Sequence, residues 1–300
     1  MTEEYEIITE SDNLWEYVEG VKPLIEKALR ENLPLAPSHI ETQFNEAIEY
    51  AIFPGGKLLR PVLTLLGAEI VGGKVENIVS SSAAVEFVHT SSLIFDDLPC
   101  MDNANERRGK KSLHEKYGEG LAVLVAIALL NASYGLVFES TNISAERQIA
   151  AHKELIDCIG ASGLVGGQSV DLAVAKLDKN SLSDADFESI RNLKTSSLMR
   201  LALRVGAILS GADYLQLNAL SRFAELLGDA YQMSDDLIDL NEDLEQQQDT
   251  FALKQGISEA QFRVKSLIEE AKEVLRGEFG NTSPCNLLCA LADYIAERKS

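Results

Sequence analysis

The spacing of apolar residues restricts this chain more than any other feature: it repeats at the helical period almost throughout, and the alternation of a half-buried strand is missing. Helix-compatible runs cover Leu14 to Asn32, His39 to Ile52, Pro61 to Val71, Glu76 to Asp97, Glu119 to Ser140, Ser144 to Leu164, Asp184 to Gly211, Asp213 to Leu240 and Ser258 to Arg276. Boundary signals accompany them. Ser183 opens one run with Asp186 three residues on, Ser258 opens another with Gln261 in the capping-box position, and Gly72, Gly73, Gly166, Gly167 and Gly211 close or interrupt helices. No low-complexity linker divides the 300 residues, so one all-α domain spanning 1–300 is expected. Leu244 to Thr250, rich in Glu and Gln, reads as a loop.

Two acidic clusters stand at the ends of apolar runs: Asp96-Asp97 with Asp102, and Asp235-Asp236 with Asp239. In the second, Asp239 lies four residues from Asp235 and three from Asp236, so on a helix all three carboxylates share one face. Such crowding of negative charge calls for a cation. Pro99 separates Asp97 from Asp102, so Asp102 is expected to reach in from an irregular segment after the helix. An isolated acidic run is ordinarily a solvated face. Both clusters here follow largely apolar stretches, Ala83 to Phe95 and Phe223 to Met233, and so are expected to emerge from buried helices. Magnesium, which takes a few carboxylates, several waters and the phosphate oxygens of a substrate, fits that arrangement.

Charge sets the partners. With 47 acidic and 27 basic residues the formal net charge is −20, which disfavours nucleic acid and anionic membrane surfaces. A phosphate-bearing substrate must therefore be held by local cations and metal. Lys57 and Arg60 are three apart in Gly55-Gly56-Lys57-Leu58-Leu59-Arg60-Pro61, where the glycines let backbone approach a phosphate. Arg107, Arg108 and Lys110 follow the first acidic cluster directly, and a guanidinium fork suits phosphate oxygens. His89 lies two helical turns before Asp96 on the same face; Gln168 and Asp171 are one turn apart; Lys194-Thr195 sits within a helical run; Gln232 precedes the second cluster.

Leu121 to Phe138 comes nearest to a membrane span, but Asn131, Ser133 and Tyr134 interrupt it, so a buried core helix and no membrane span are expected. Cys100, Cys158, Cys285 and Cys289 lack zinc-like spacing and read as reduced thiols. Met1 to Glu10 is acidic and has neither a secretory nor a transit character, so a cytoplasmic location is expected, with the plastid stroma as the alternative if a targeting segment has been removed.

In order along the chain, Gly55 to Pro61, His89 to Asn103, Arg107 to Lys110, Gly167 to Asp171, Lys194-Thr195 and Tyr231 to Asp239 resemble the trans-isoprenyl (polyprenyl) diphosphate synthases, in the short-chain group that makes farnesyl and geranylgeranyl diphosphate. The four-residue spacer between Asp97 and Asp102 looks like a variant of bacterial farnesyl and plant-type geranylgeranyl synthases. The resemblance spans about residues 20 to 298. It implies an antiparallel helical bundle around a deep central cavity, a homodimer, and condensation of isopentenyl diphosphate with an allylic diphosphate. It further implies that Asp96, Asp97, Asp102, Asp235, Asp236 and Asp239 hold Mg²⁺, three ions per site, on the allylic diphosphate, with Arg107 and Lys194 adding charge. Gly56, Lys57, Arg60, His89, Arg108 and Gln168 would bind substrate, and Lys194, Thr195 and Gln232 would steady the allylic cation. Ser91 and Ser92 stand where farnesyl-making relatives place a bulky aromatic, so the chain-length floor is expected a turn deeper at Phe87 or Val88, with geranylgeranyl diphosphate as product.

Three departures from the family pattern stand out: no lysine in Asn241 to Asp249, Asn103-Ala104-Asn105 in place of further aspartates, and Ala126-Ile127 where a Gly-Asp pair is customary. The alternatives are a farnesyl diphosphate synthase, a terpene cyclase on the same fold, or a weakly active regulatory subunit of a heteromeric synthase.

Overall fold

The computed structural model describes residues 10–37, 39, 43–53, 56–140, 142–174, 184–238 and 256–297; the side chains of 10–12, 173–174, 184–195 and 236 lie outside that description. Twelve helices and one two-stranded ribbon follow in order among the described residues: α1 Glu10–Glu31, α2 Gln43–Ile52, α3 Leu59–Glu69, α4 Val75–Asp97, β1 Glu106–Arg107, β2 Lys110–Lys111, α5 Leu113–Tyr117, α6 Glu119–Leu136, α7 Ala145–Ile159, α8 Leu164–Val174, α9 Asp184–Ser210, α10 Tyr214–Ile238, α11 Ile257–Phe279 and α12 Ser283–Glu297. The all-α expectation holds.

Helix α4 is buried on every side from Ser81 to Ser91, as an apolar helix without a polar face must be. It packs against α1, α2, α3, α5, α6 and α9, while α10 lies between α9 and α11 and also meets α12. α3 and α9 approach backbone to backbone. A Cβ on Gly67 would sit 2.2 Å from the Leu203 carbonyl oxygen, and one on Gly206 would sit 1.9 Å from that of Thr64. On the outer side, Arg204 Nε and Nη2 donate to the Glu154 carboxylate at 2.8 and 2.9 Å, and Arg200 Nε adds a third bond at 3.2 Å. Arg204 Nη1 also reaches the Leu217 carbonyl at 3.1 Å, so one guanidinium fastens α7, α9 and α10. Burial works to raise the Glu154 carboxyl, and the two arginines outweigh it, holding the group below the usual carboxylate range.

Several boundaries differ from those expected. Helix α11 starts at Ile257 after Gly256 at φ 97°, so Ser258 lies inside the first turn and does not cap it. Gly166 and Gly167 fall within α8; the break they were expected to make occurs earlier, where α7 stops at Gly160. Gly72 at φ 80° and Gly211 at φ 91° do follow helix ends. Ser183 and Leu244 to Thr250 lie outside the described residues. The ribbon is the one strand pair among the described residues, and its Arg108-Gly109 turn has positive φ at both positions, 55° and 71°, as a two-residue type I′ hairpin requires.

Helix α6 corrects a further expectation. It packs on α4, α5 and α2, but Leu124 and Ile127 remain 56% and 50% exposed, so only one face of this apolar helix is core. Both α4 and α6 are long and apolar enough to cross a membrane; α4 is enclosed by protein. All four cysteines are free thiols, and Cys158, Cys285 and Cys289 are buried.

Candidate active site

Helix α4 ends at Asp97 because Leu98 turns extended, with ψ 151°, ahead of Pro99. The chain then folds back over the helix end. The Asp102 and Ala104 amides donate to the Asp96 and Asp97 carbonyls at 2.9 and 3.2 Å, and the Asn103 amide donates to Leu98 at 3.1 Å. Asp102 thus arrives from an irregular segment, as Pro99 implied, beside the buried Asp96 and Asp97. A helix C-terminus already carries partial negative charge, so carboxylates gathered there favour a cation strongly.

The second acidic group repeats this geometry at the C-terminal end of α10. Asp235 is half-buried there, after the buried Ser234. The Asp236 side chain and all of Asp239 lie outside the described residues, so the three-carboxylate face is described only in part. Two amide oxygens in this region, Gln168 Oε1 on α8 and Gln232 Oε1 on α10, are buried without a partner among the described residues. The Gln168 amide nitrogen reaches Met101 Sδ at 3.8 Å, which sets α8 against the loop between Asp97 and Asp102.

Beside the acids lies a cationic niche. His89 Nε2 is 3.1 Å from Arg60 Nη1 and 3.4 Å from Arg108 Nη2, so two guanidiniums from α3 and the ribbon turn converge on one imidazole nitrogen. Burial, reinforced by Arg60, Arg108 and Arg107, pushes the His89 pKa well below its usual value, so the ring is neutral and Nε2 accepts. Its Nδ1 then carries the proton, buried without a partner among the described residues. Arg60 also interacts electrostatically with Glu86 one turn back on α4 and with Tyr231 on α10. Arg60 on α3 is thus within electrostatic reach of both acid-bearing helices. Glu86 is buried, and burial raises its pKa against the opposing pull of Arg60 and Arg108.

Gly56 lies against Arg108, where a Cβ would be 3.1 Å from the guanidinium carbon. The Lys57 ammonium is hydrogen-bonded to the Tyr294 hydroxyl of α12. Arg107 bonds to Asp97 Oδ1 through Nε at 3.0 Å and Nη2 at 2.5 Å. The cation expected at the allylic diphosphate is thus paired with one of the acids.

Among the described residues no three acidic, histidine or cysteine side chains are gathered closely enough to hold a metal by themselves. The donor set still suits magnesium, whose shell is completed by water and phosphate oxygens: hard carboxylates at two helix C-termini, and buried amide oxygens with lone pairs to spare. Asp96, Asp97, Asp102 and Asp235 are the described carboxylates of the two acidic groups that could supply it.

The polyprenyl synthetase family profile matches residues 41–253. A chloroplastic geranylgeranyl pyrophosphate synthase of Capsicum annuum is 37% identical over 286 residues, 91% of this chain and 76% of that protein. The chain belongs to the polyprenyl synthetase family. Within it, the heterodimeric geranylgeranyl pyrophosphate synthase large subunit 2 of Arabidopsis thaliana is 36% identical over 91% of this chain and 74% of its own length. The crystal structure of an FPP/GFPP synthase from Zymomonas mobilis superposes with a TM-score of 0.86 at 29% identity, covering 95% of this chain and 99% of that one. The shared fold is the all-α isoprenoid synthase fold, and the chain is a prenyl-transferring enzyme.

Lys194 and Thr195 lie on α9, their side chains outside the description. Ser91 is buried with its hydroxyl donating to the Ala126 carbonyl of α6 at 3.0 Å, so the row through Ser91 and Phe87 faces α6. Ser92 is half-buried and bonds back to the His89 carbonyl at 2.8 Å; it stands in line with Asp96 above and Val88 below. Sequence reading missed Glu86 and Tyr294, and gave Tyr231 no role beyond its place in the motif. A signal existed for Glu86, the one acid in the buried apolar stretch three residues before His89. None existed for Tyr294, 237 residues from the lysine it holds.

Proposed function

We propose that this chain is a Mg²⁺-dependent prenyltransferase that condenses isopentenyl diphosphate with an allylic diphosphate to form geranylgeranyl diphosphate. The observation that carries the reading is the meeting of Arg60, Arg108 and His89 two helical turns before Asp96 on α4, with Arg107, the neighbour of Arg108, bonded to Asp97: a cationic niche and an acidic cluster along the C-terminal half of one helix. Each suits a different diphosphate: one held by guanidinium forks, the other through metal.

The niche would bind the isopentenyl diphosphate, with Lys57, Arg60 and Arg108 donating to its oxygens. Neutral His89 orients both guanidiniums, because its Nε2 gives each a fixed acceptor. Asp96, Asp102 and Asp235, with Asp236, Asp239 and Asp97 completing the acidic walls, would hold magnesium on the allylic diphosphate. When bound, that metal stabilises the negative charge that grows on the leaving diphosphate. Lys194 adds charge there, and the Gln232 amide oxygen and Thr195 would offer the electron-poor allylic carbon dipoles that steady it. The isopentenyl double bond attacks that carbon, and loss of a proton to the departing diphosphate restores the alkene. Buried walls around α4 keep water from capturing the cation.

Small side chains at Ser91 and Ser92 leave the tail free to pass, and Phe87 or Val88, both buried, would stop it. Similarity to geranylgeranyl pyrophosphate synthases supports a twenty-carbon product. Chain-length analysis with Mg²⁺, isopentenyl diphosphate and each allylic primer tests this. Farnesyl diphosphate that is not extended would overturn the assignment, and turnover without isopentenyl diphosphate would point to a cyclase.

A homodimer would bury the face of α6 carrying Leu124 and Ile127, which is apolar and open. Similarity to a protein named as a heterodimeric large subunit supports a second reading, in which a different chain covers the same face. Relatives named as chloroplastic favour the plastid stroma over the cytoplasm as the compartment; fractionation of cells expressing the tagged protein separates the two.

A further inference from the structure

Lys57 is an exposed cation at the mouth of the site. It follows Gly56, whose α-carbon lies against Arg108, and precedes Leu58, which holds a left-handed φ of 51° with its side chain buried. The backbone therefore fixes where the Lys57 stem begins. Among the described residues of the loop none is bonded to its tip, and a four-carbon stem bearing a point charge loses much rotamer freedom when it binds.

Tyr294 supplies that constraint from the other end of the chain. Its hydroxyl accepts a hydrogen bond from the ammonium, which lies beyond the hydroxyl end of the ring. The ring is itself fixed. Trp15 of α1 meets it edge to face at 4.9 Å and 87°, and the preceding residue, Asp293, accepts a 2.8 Å bond from the largely buried Lys272 of α11. An ammonium has three N–H donors and no acceptor. One is spent on Tyr294, leaving two for phosphate oxygens.

We propose that Tyr294 is a positioning residue for the isopentenyl diphosphate site, holding the ammonium of Lys57, whose neighbour Gly56 lies against Arg108, so that the C-terminal helix completes the niche. The inference rests on the prenyltransferase function proposed above. It implies that α1 and α12, which carry none of the expected motifs, set the affinity for one of the two substrates.

The test is a cycle of Y294F, K57A and the double variant, read by steady-state kinetics with farnesyl diphosphate as primer. Y294F keeps the ring against Trp15, and Lys57 is exposed, so both variants are expected to fold with wild-type melting temperatures. Loss of this one solvent-exposed bond should raise KM for isopentenyl diphosphate roughly three- to tenfold, the ordinary net worth of a hydrogen bond, leaving kcat and KM for farnesyl diphosphate unchanged. In the K57A background Y294F should add nothing. An unchanged KM, a rise shared with the allylic substrate, or an equal penalty without Lys57 would overturn the assignment. Inorganic pyrophosphate binding by calorimetry in EDTA separates this from the function itself. Weaker binding by both Y294F and K57A supports the positioning role; binding by Y294F equal to wild type overturns it. Wild-type protein that binds pyrophosphate through this pair yet shows no isopentenyl-dependent turnover sinks the proposed function alone.

Discussion

His89 gives the niche a pH dependence whose sign can be worked out. Its folded-state pKa lies well below the usual histidine value, so the unfolded chain takes up the proton first as pH falls. The stabilising contribution is present above about pH 6.5 and is lost as the solution is acidified through that value. Glu86 acts the other way: its raised carboxyl favours the fold below about pH 4.5 and ceases to as pH rises through its folded-state value. Urea unfolding at pH 7.5 and 5.5 isolates the histidine by difference: on acidification the wild type should fare worse than H89Q, which cannot take up a proton, while the Glu86 contribution is common to both. A slope unchanged in H89Q would mean that His89 is not held neutral. Ser91 makes a second residue-scale prediction. Replacing it with Phe at its buried position against Ala126 should shorten the product and destabilise the fold by about 1–3 kcal/mol through overpacking, read as product distribution and melting temperature.

Among the elements, the α3–α9 contact is the least forgiving. With the Thr64 carbonyl 1.9 Å from where a Cβ would stand, G206A must push the α3 and α9 backbones apart, and a loss of about 3 kcal/mol is expected in denaturant unfolding. Breaking the Glu154–Arg204 pair by E154A should cost about 3–5 kcal/mol, because Arg204 is left largely buried without its counter-ion. Helical spacing made most of these elements legible, and Pro99 placed the end of α4 and the loop origin of Asp102 correctly. Helix α12 was not foreseen, although Pro284 in its first turn and apolar residues at Leu287, Leu288, Leu291 and Ile295 mark it. The ribbon escaped because two residues per strand leave no alternation to read. The Arg107–Asp97 and Lys57–Tyr294 pairs escaped for another reason. Each is a choice among partners that only the folded chain brings within reach.

For the whole molecule, the open face of α6 joins the fold to its assembly state. A charge there should oppose burial against a second apolar surface, so L124E with I127E is expected to shift the protein from dimer to monomer in sedimentation. A wild-type protein already monomeric would remove α6 as the contact. Stability and function also diverge at the ribbon turn. Arg108 adopts a left-handed backbone that asparagine tolerates far better, and its charge stands close to those of Arg60 and Arg107. R108N should thus gain roughly 1 kcal/mol of stability while losing a phosphate-binding fork. A selection for heat resistance alone would drift toward that substitution and return a sturdier protein with its niche disarmed.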